Sequence, residues 1–480
     1  MDPYFTGCVR HIFILFRQLA IAALLSVPFG AHGQAAVDAD TTAPRYTVGH
    51  IAITGNKKTQ SVIILRELFF RAGERYSLSA LAEKMETSRQ QLMNTALFHQ
   101  VVISAGPYQS TEIDILIEVR VRWYLFPAPY FRPVDRNLNQ WLVEQHARLD
   151  RVNYGMKVSY NNATGQKDKF RLWGIGGYTR QVSFSYDRPY IDRKLKWGMA
   201  VSFARGKNRE VNYNTFGDKQ AFVKTPDDFI RRFTNLHVHF SYRPAIRTRH
   251  LFGIGFTSES MADTLARLNP DYFGNGRRRV GIPSLFYTMQ YHQVDYIPYP
   301  TRGHAAQISV SYNGLNRHTD LAQVHIKGIV AWPLGRTSYL AVTGYGGIKL
   351  PFRQPYFNRR FLGYGDAFLQ GFEYYVIDGV AGGYLKATFM QELLSGRLRL
   401  PKGIGRTVNA IPFRILAKAY GNTGRVYDPE SGENRLPNRW LHAAGVGIDI
   451  VTLYDVVIRL EWSFNSIGEN GLFLHRRNAF

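Results

Sequence analysis

From Val152 onward, hydrophobic and polar residues alternate in short blocks separated by turn-forming residues. In VNYGMKVSY, Tyr154, Met156, Val158 and Tyr160 oppose Asn153, Lys157 and Ser159. In SLFYTMQYHQ, Leu285, Tyr287, Met289 and Tyr291 oppose Ser284, Thr288, Gln290 and His292. In VVIRLEWSF, Val456, Ile458, Leu460, Trp462 and Phe464 oppose Arg459, Glu461 and Ser463. A period of two is the strand period, because successive side chains leave opposite faces. One face here is continuously apolar and the other polar, even charged. About sixteen such strands fit between Val152 and Phe480, and single-chain bacterial membrane barrels have an even number. Residues 152–480 are therefore expected to form a transmembrane antiparallel β-barrel, its apolar face toward lipid. A soluble multi-sheet protein would also alternate, but with shorter strands and fewer aromatics at their ends.

One stretch breaks the alternation. From Tyr356 the chain runs through Gly363, Gly365, Gly371, Gly379 and Gly382 among many aromatics. It alternates again from Gly383 to Leu394, where Leu385, Ala387, Phe389 and Leu393 share one parity. Loops beyond about 12–15 residues are commonly functional or disordered, and this one is too aromatic for a disordered linker. It is expected to be packed inside the barrel.

Ahead of the alternating region the pattern changes. Tyr46 to Thr54 reads as a strand, Thr59 to Phe70 as a helical stripe, and Leu81, Met85, Leu92 and Leu97 as the buried side of a second helix. That helix is capped by Ser77 or Ser79. Strands follow at Phe98 to Ser104 and Glu112 to Leu125, so residues 45–127 form a small α+β domain. Residues 128–151 read as a linker with a short helix, because Pro127, Pro129 and Pro133 oppose regular structure. Residues 1–33 have a basic start, a short apolar core at Leu19 to Phe29, and small residues at Ala31-His32-Gly33. That is the layout of a secretory signal peptide.

Composition narrows the function classes. The chain has 480 residues, a net charge of +24 and an aromatic fraction of 14%. No stretch after residue 33 offers the roughly 20 apolar residues that a spanning helix needs. The basic residues are dispersed, which suits a barrel facing anionic headgroups better than a nucleic-acid partner. Cys8 is the sole cysteine and lies in the signal segment, so no disulfide framework, thiol nucleophile or cysteine metal site is expected. His237 and His239 share a strand face but lack a third ligand, and no metal is expected there. Glycine pairs such as Gly176-Gly177 lie in strands, not before helices, so no dinucleotide loop is expected. There is no nucleophile motif, carboxylate pair or phosphate loop, hence neither catalytic residues nor cofactor.

Two resemblances give these elements a context. The order strand–helix–helix–strand–strand over residues 45–127, with Gly55-Asn56 ending the first strand and Leu97-Phe98 entering the next, resembles a POTRA domain. Such a domain implies a periplasmic module that can take an extended peptide at a sheet edge. The long loop falls between the eleventh and twelfth strands by count. In the superfamily of outer-membrane assembly factors (BamA- and TamA-like proteins, the surface antigen family), that loop folds into the barrel and carries Arg-Gly-Phe or Arg-Gly-Tyr at its tip. Leu369-Gln370-Gly371-Phe372 resembles that tip, with Gln370 in the arginine's place and Gly363 and Gly365 in the supporting run. The family's acidic partner lies in a Phe-x-Asp-x-Gly pattern. The stretch Ala417 to Gly421 is similar to it, with Ala419 where the Asp would fall and Gly421 at its end, so charge and counter-charge are expected to be lost together.

The resemblance also implies a lateral gate between the first and last strands, here expected at Tyr154, Met156, Leu474 and Phe480. A terminal aromatic such as Phe480 is similar to an outer-membrane barrel signature. The implied role is insertion of barrel proteins into the outer membrane, or translocation of polypeptides across it. The implied partners are unfolded outer-membrane clients and outer-membrane lipid, with room for accessory envelope proteins and none for nucleic acid. A passive channel or a lipid or polymer transporter is the first alternative. A soluble basic binding protein is the second.

Overall fold

A computed structural model describes residues 44–106, 111–133, 141, 146, 152–177, 179–225, 228–316, 319–399 and 410–476. The expected signal peptide, most of 134–151, and Phe480 lie outside the described residues.

The small domain is a four-stranded sheet carrying two helices. Its strands are Arg45–Thr54, Arg75–Ser77, Phe98–Ala105 and Glu112–Val121, ordered second, first, fourth, third. The first and last pair in parallel, and Phe98–Ala105 pairs antiparallel with Glu112–Val121. The alternation of Ile113, Ile115, Ile117 and Val119 buries one face of that last strand against Ile63, Ile64, Leu81 and Leu92 from the helices. The long helix, Leu78–Asn94, starts at Ser77, whose hydroxyl accepts from the Ala80 N–H at 3.3 Å. The helical stripe expected up to Phe70 closes early: only Ser61–Leu65 is α-helical. Among the described residues no helix is long and apolar enough to cross a membrane.

The rest of the chain builds a 16-stranded antiparallel sheet whose strands lie in chain order. One edge is Leu125–Pro133 and the other Asn470–Arg476. Two short pairs stand outside this order: the hairpin Glu210–Phe216 with Lys219–Lys224, and Arg360–Leu362 with Ile377–Asp378. The sheet rolls up on itself. Arg122, just before the first strand, is paired with Asp455 between the fourteenth and fifteenth strands, at 2.7 and 3.1 Å. Phe126 packs edge-on to Tyr454 beside it. This is the transmembrane β-barrel that the alternation predicts.

The outer face explains the solvent it needs. Leu285, Ile254, Ile326, Leu385, Val446 and Leu460 point outward and are exposed. So continuous an apolar band is untenable in water and normal in lipid. Trp197 and Trp332 lie toward one end of their strands, Trp440 and Trp462 toward the opposite end. Trp is at home at both membrane–water boundaries. The inner face is polar and hydrogen-bonded across strands, as in Gln290–Gln307 at 3.0 Å and Gln323–Ser311 at 2.9 Å.

One expectation is corrected here. Fifteen strands, not sixteen, follow Val152, and the sixteenth lies upstream at Leu125–Pro133, within the stretch read as module and linker. Three prolines make this segment look like a strand breaker. Proline is nonetheless compatible with an edge strand, where the missing N–H can face away from the ladder. Tyr154 and Met156 consequently belong to the second strand, paired with Phe131 and Pro129 on one side and Gly176 and Gly174 on the other.

The module packs against one end of the barrel. Arg243, in the turn after the sixth strand, donates to the fully buried Glu67 carboxylate at 2.7 Å. Gln91 and Tyr190 donate to the same carboxylate at 2.6 and 3.3 Å. Burial alone would raise the Glu67 carboxyl, but the charge and hydrogen bonds of Arg243 outweigh it and hold the group well below the usual carboxylate range. Arg66 donates to the Leu195 carbonyl at 2.7 Å. Asn94 bridges to Val294 and Ile297, and Thr59 accepts from Asn162. Four turns of the barrel are thereby fixed to one module.

Candidate functional site

Among the described residues, the loop between the eleventh and twelfth strands, residues 351–380, is the element inside the bore that neither belongs to the wall nor lines it by alternation. Gly363 has φ +85°, and a Cβ there would lie 2.5 Å from the Tyr375 carbonyl oxygen. Only glycine allows that close approach. At Gly365 a Cβ would meet nothing within 4 Å, so the packing does not demand glycine there. Lys349, at the end of the eleventh strand, is buried and donates to the carbonyls of Asn358 and Arg360 at 2.8 and 2.6 Å. It gives the irregular backbone partners that no strand supplies.

The tip is buried against the wall. Leu369, Gln370, Gly371 and Phe372 come together as expected, and all four are buried. Gly371 has φ +86°, and a Cβ would approach the Ala443 Cβ to 2.9 Å. Its carbonyl accepts from Asn465 at 2.7 Å, and the Gln370 carbonyl accepts from Asn422 at 3.3 Å. The Gln370 side-chain amide donates to Glu461 of the fifteenth strand at 2.8 Å. The loop residue Glu373 accepts from His475 of the final strand at 3.3 Å. Tyr374 packs on Phe473 of the same strand. The tip thus grips the three strands that end the sheet, through Ala443, Glu461, Asn465 and His475.

The charges are arranged otherwise than expected. Counter-charge is not lost: Glu461 and Asp449 remain in the wall, and both are buried. Their cation is Lys418 of the thirteenth strand, 2.5 Å from each. A neutral Gln370 is then tolerable, because Glu461 is already compensated from the wall and needs only a hydrogen bond from the loop.

The register of the expected acidic pattern is also corrected. Ala419 and Gly421 point outward and are exposed. The inward residues are Lys418, Tyr420, Asn422 and Gly424. Tyr420-Gly421-Asn422-Thr423-Gly424 has the spacing of that pattern with its first, third and fifth residues inward, and Asn422 donates to the Gln370 carbonyl at 3.3 Å. Gly424 lies under the tip: a Cβ would sit 3.1 Å from Leu369 Cδ1. Strand parity was the signal available in the sequence, since Lys418 and Glu461 both fall on polar faces.

Of the expected gate residues, Leu474 lies on the final edge strand with its side chain outward. Tyr154 and Met156 are one strand removed from the seam, and the first-strand edge is formed by Leu125–Pro133 instead. Among the described residues no ladder joins that strand to Asn470–Arg476.

The carboxylates of Glu373 and Glu461 and the His475 ring can bring three ligand atoms within 4.8 Å of one another. The Lys418 ammonium already holds Glu461 at 2.5 Å, so a metal cation there would be repelled by it. Below the tip, a cavity of about 580 Å³ is lined by Lys327, Lys386, Lys418 and Arg459 with Asp366 and Asp449. Beyond it, Tyr356 donates to Asn212 of the hairpin at 2.7 Å, and Asp218 of the hairpin accepts from the N–H groups of Arg435 and Leu436. The hairpin, the loop and residues 428–439 are thus tied together at the end away from the module.

Comparison with known proteins follows the same division. Residues 162–453 match the Omp85 superfamily domain, and residues 46–122 match the surface antigen variable number repeat, the POTRA unit. CdiB from Escherichia coli is similar in structure, with a TM-score of 0.51 at 11% identity, covering 90% of this chain and 75% of that one. BamA from Haemophilus ducreyi lacking POTRA domains 1–3 gives a TM-score of 0.49 at 15% identity, covering 89% and 83%. The likeness to CdiB is one of fold. No curated protein gives a significant match by sequence.

Proposed function

This chain belongs to the Omp85 superfamily, and from that premise we propose that it handles unfolded polypeptides at the outer membrane. The module faces the periplasm and receives an extended client at a sheet edge. The strand Phe98–Ala105 ends its sheet and is a suitable acceptor. The client then leaves through the seam between Leu125–Pro133 and Asn470–Arg476, into the membrane or across it. No cofactor is needed. Burial of the client's apolar face in lipid and completion of its backbone hydrogen bonds drive the transfer.

The observation that carries this reading is the grip of the loop tip on the strands beside the seam. Glu461 and His475 connect the loop to the last two strands, through Gln370 and Glu373, so a change at the seam is felt by the loop. The same loop packs across the bore onto the wall at Ala443, Glu461 and Asn465, which weighs against a passive pore.

Depletion of the protein, followed by quantitative proteomics of the outer membrane and the medium, tests the reading. Insertion predicts that a subset of barrel proteins falls in the membrane. Translocation predicts that exported passengers fall in the medium. Unchanged levels of both would count against handling of polypeptides and favour transport of a lipid or polymer.

A further inference from the structure

One part of the barrel wall carries a row of cations on its outer face. The fourth to eighth strands are Thr179–Arg188, Trp197–Asn208, Arg231–Tyr242, Thr248–Met261 and Arg279–Val294. At the end away from the module, one line of paired residues crosses all five: Arg180↔Lys207, Lys207↔Arg232, Arg232↔Ser260 and Ser260↔Arg279. Residues paired across a ladder leave the sheet on the same face. That face is the outer one, because Val182, Phe203, Leu236, Ile254 and Leu285 share its parity and are exposed. Arg180, Arg232 and Arg279 are themselves exposed. Arg205, opposite Val182 and Thr234 in the next outward line, adds a further exposed cation.

Like charges directly opposite each other in a sheet repel, so this row is unfavourable by itself. The neighbouring carboxylates are engaged elsewhere. Glu259 is paired with Arg231 and Asp263 with Arg278, while Asp228 accepts from the Phe229 N–H at 2.7 Å. Among the described residues no ion pair includes Arg180, Arg205, Lys207, Arg232 or Arg279. The cations gather instead around the Phe229 ring, with Lys207 Nζ 4.1 Å and the Arg180 guanidinium 5.2 Å from its centroid. Arg209 lies 5.3 Å from the same ring, and its Nε is buried without a hydrogen-bond partner. A ring attracts cations through its quadrupole but carries no net charge to offset theirs.

The level of the row identifies what offsets it. Phe184, Phe203, Leu236 and Phe256 form an apolar line across the same strands, and such a line belongs in hydrocarbon. Phe184 and Arg180 are four residues apart, about 14 Å along a strand and about 10 Å along the membrane normal once strand tilt is allowed for. The row therefore stands among lipid headgroups. Four strand spacings separate Arg180 from Arg279, about 19 Å, which is too wide for a single phosphate. We propose that this row, from Arg180 to Arg279, binds an outer-leaflet lipid whose headgroup carries more than one phosphate. Each guanidinium can grip two oxygens of a phosphate, and such charge-assisted bonds are short and strong. Thr234, Ser258 and Ser260 place hydroxyls on the same outer face as further donors. The choice of leaflet rests on the module lying in the periplasm. The binding itself is independent of how clients are handled.

The test uses the full chain in detergent micelles and compares binding of bisphosphorylated lipid A with that of its dephosphorylated form. The phosphorylated lipid is expected to bind at least about ten-fold more tightly. The variant Arg180→Gln/Lys207→Gln/Arg232→Gln should keep the heat-modifiable fold and lose at least about ten-fold in affinity for the phosphorylated lipid. The variant Arg193→Gln/Lys194→Gln/Lys196→Gln removes as much charge from an exposed turn at the module end, and should change that affinity by less than about two-fold because the distance exceeds the screening length. Inorganic phosphate at matched phosphate concentration should leave the lipid bound. Equal binding of the two lipids, a row variant that binds like its parent, or an equal loss in the turn variant overturns the inference. Displacement by inorganic phosphate would assign the row to a free anion and overturns the lipid as its occupant. The comparison of the two lipids on the unaltered chain decides the matter even if the row variant does not fold.

Discussion

Lys418→Met is expected to destabilise the folded barrel by roughly 3–5 kcal/mol, the usual cost of removing one partner from a buried ion pair. Lys418 is the cation between Asp449 and Glu461, and all three are buried. Without it two carboxylates face each other in the wall, Asp449 keeping Arg459 at 3.9 Å and the Tyr299 hydroxyl at 2.9 Å, and Glu461 keeping His475 at 3.4 Å and the Gln370 amide at 2.8 Å. The loss should appear as a lower temperature for conversion of the compact band to the unfolded one on gels. Two second-site changes make the test specific. Adding Glu461→Gln should recover part of the loss, because a neutral pair needs no counter-charge. Adding Gln370→Arg should also recover it, by returning the cation from the loop side. If neither double variant improves on Lys418→Met, the loss does not come from the uncompensated carboxylates of Asp449 and Glu461.

Glu67→Ala is expected to loosen the module from the barrel by a similar roughly 3–5 kcal/mol, since it leaves the Arg243 guanidinium buried without its carboxylate. Hydrogen exchange should quicken in the helix Ser61–Leu65 and in the turns that hold Leu195 and Arg243. The heat conversion of the barrel should stay unchanged, because no wall strand loses a partner. Acid has a defined sign here. The Glu67 carboxyl is depressed in the folded protein, so its contribution is complete above the ordinary glutamate value of about 4.3 and fades only as pH falls below it. Protection against exchange, corrected for the slower intrinsic exchange in acid, should be the same at pH 5 as at pH 7. Loss of protection already at pH 5 would show that Glu67 is not held as its partners imply.

The barrel was legible because alternation is a direct consequence of strand geometry, and Leu385, Leu460 and Trp462 announce their lipid side by parity alone. The loop was legible from its glycines and aromatics, and counting strands from Val152 still placed it between the eleventh and twelfth. Ten strands of the sheet run from Val152 to the loop, and Leu125–Pro133 upstream brings their number to eleven. The first strand was illegible for a specific reason. Pro127, Pro129 and Pro133 oppose regular structure by composition, and only the phase of the ladder, set by the Asn161 N–H donating to the Tyr124 carbonyl at 2.8 Å, turns each missing N–H away from the second strand. The same reason displaces the expected gate residues: Tyr154 and Met156 open the first alternating block but belong to the second strand. The tip's partners were missed by three positions. Ala419 satisfied a spacing but not a parity, whereas Asn422 satisfies both. Lys418 escaped notice because a lone lysine on a polar face is ordinary. Its role depends on Asp449 and Glu461, which only the folded sheet brings beside it.

The most direct test of the gate is to tie it shut. Cys8 is the sole cysteine, so a Cys8→Ser background carrying Phe131→Cys with Leu472→Cys or Leu474→Cys can be bridged by a reducible bis-maleimide. The bridged chain should keep its heat-modifiable fold, lose delivery of clients to the outer membrane, and regain it on reduction. Delivery by the bridged chain at the rate of its unbridged control would contradict passage through the seam.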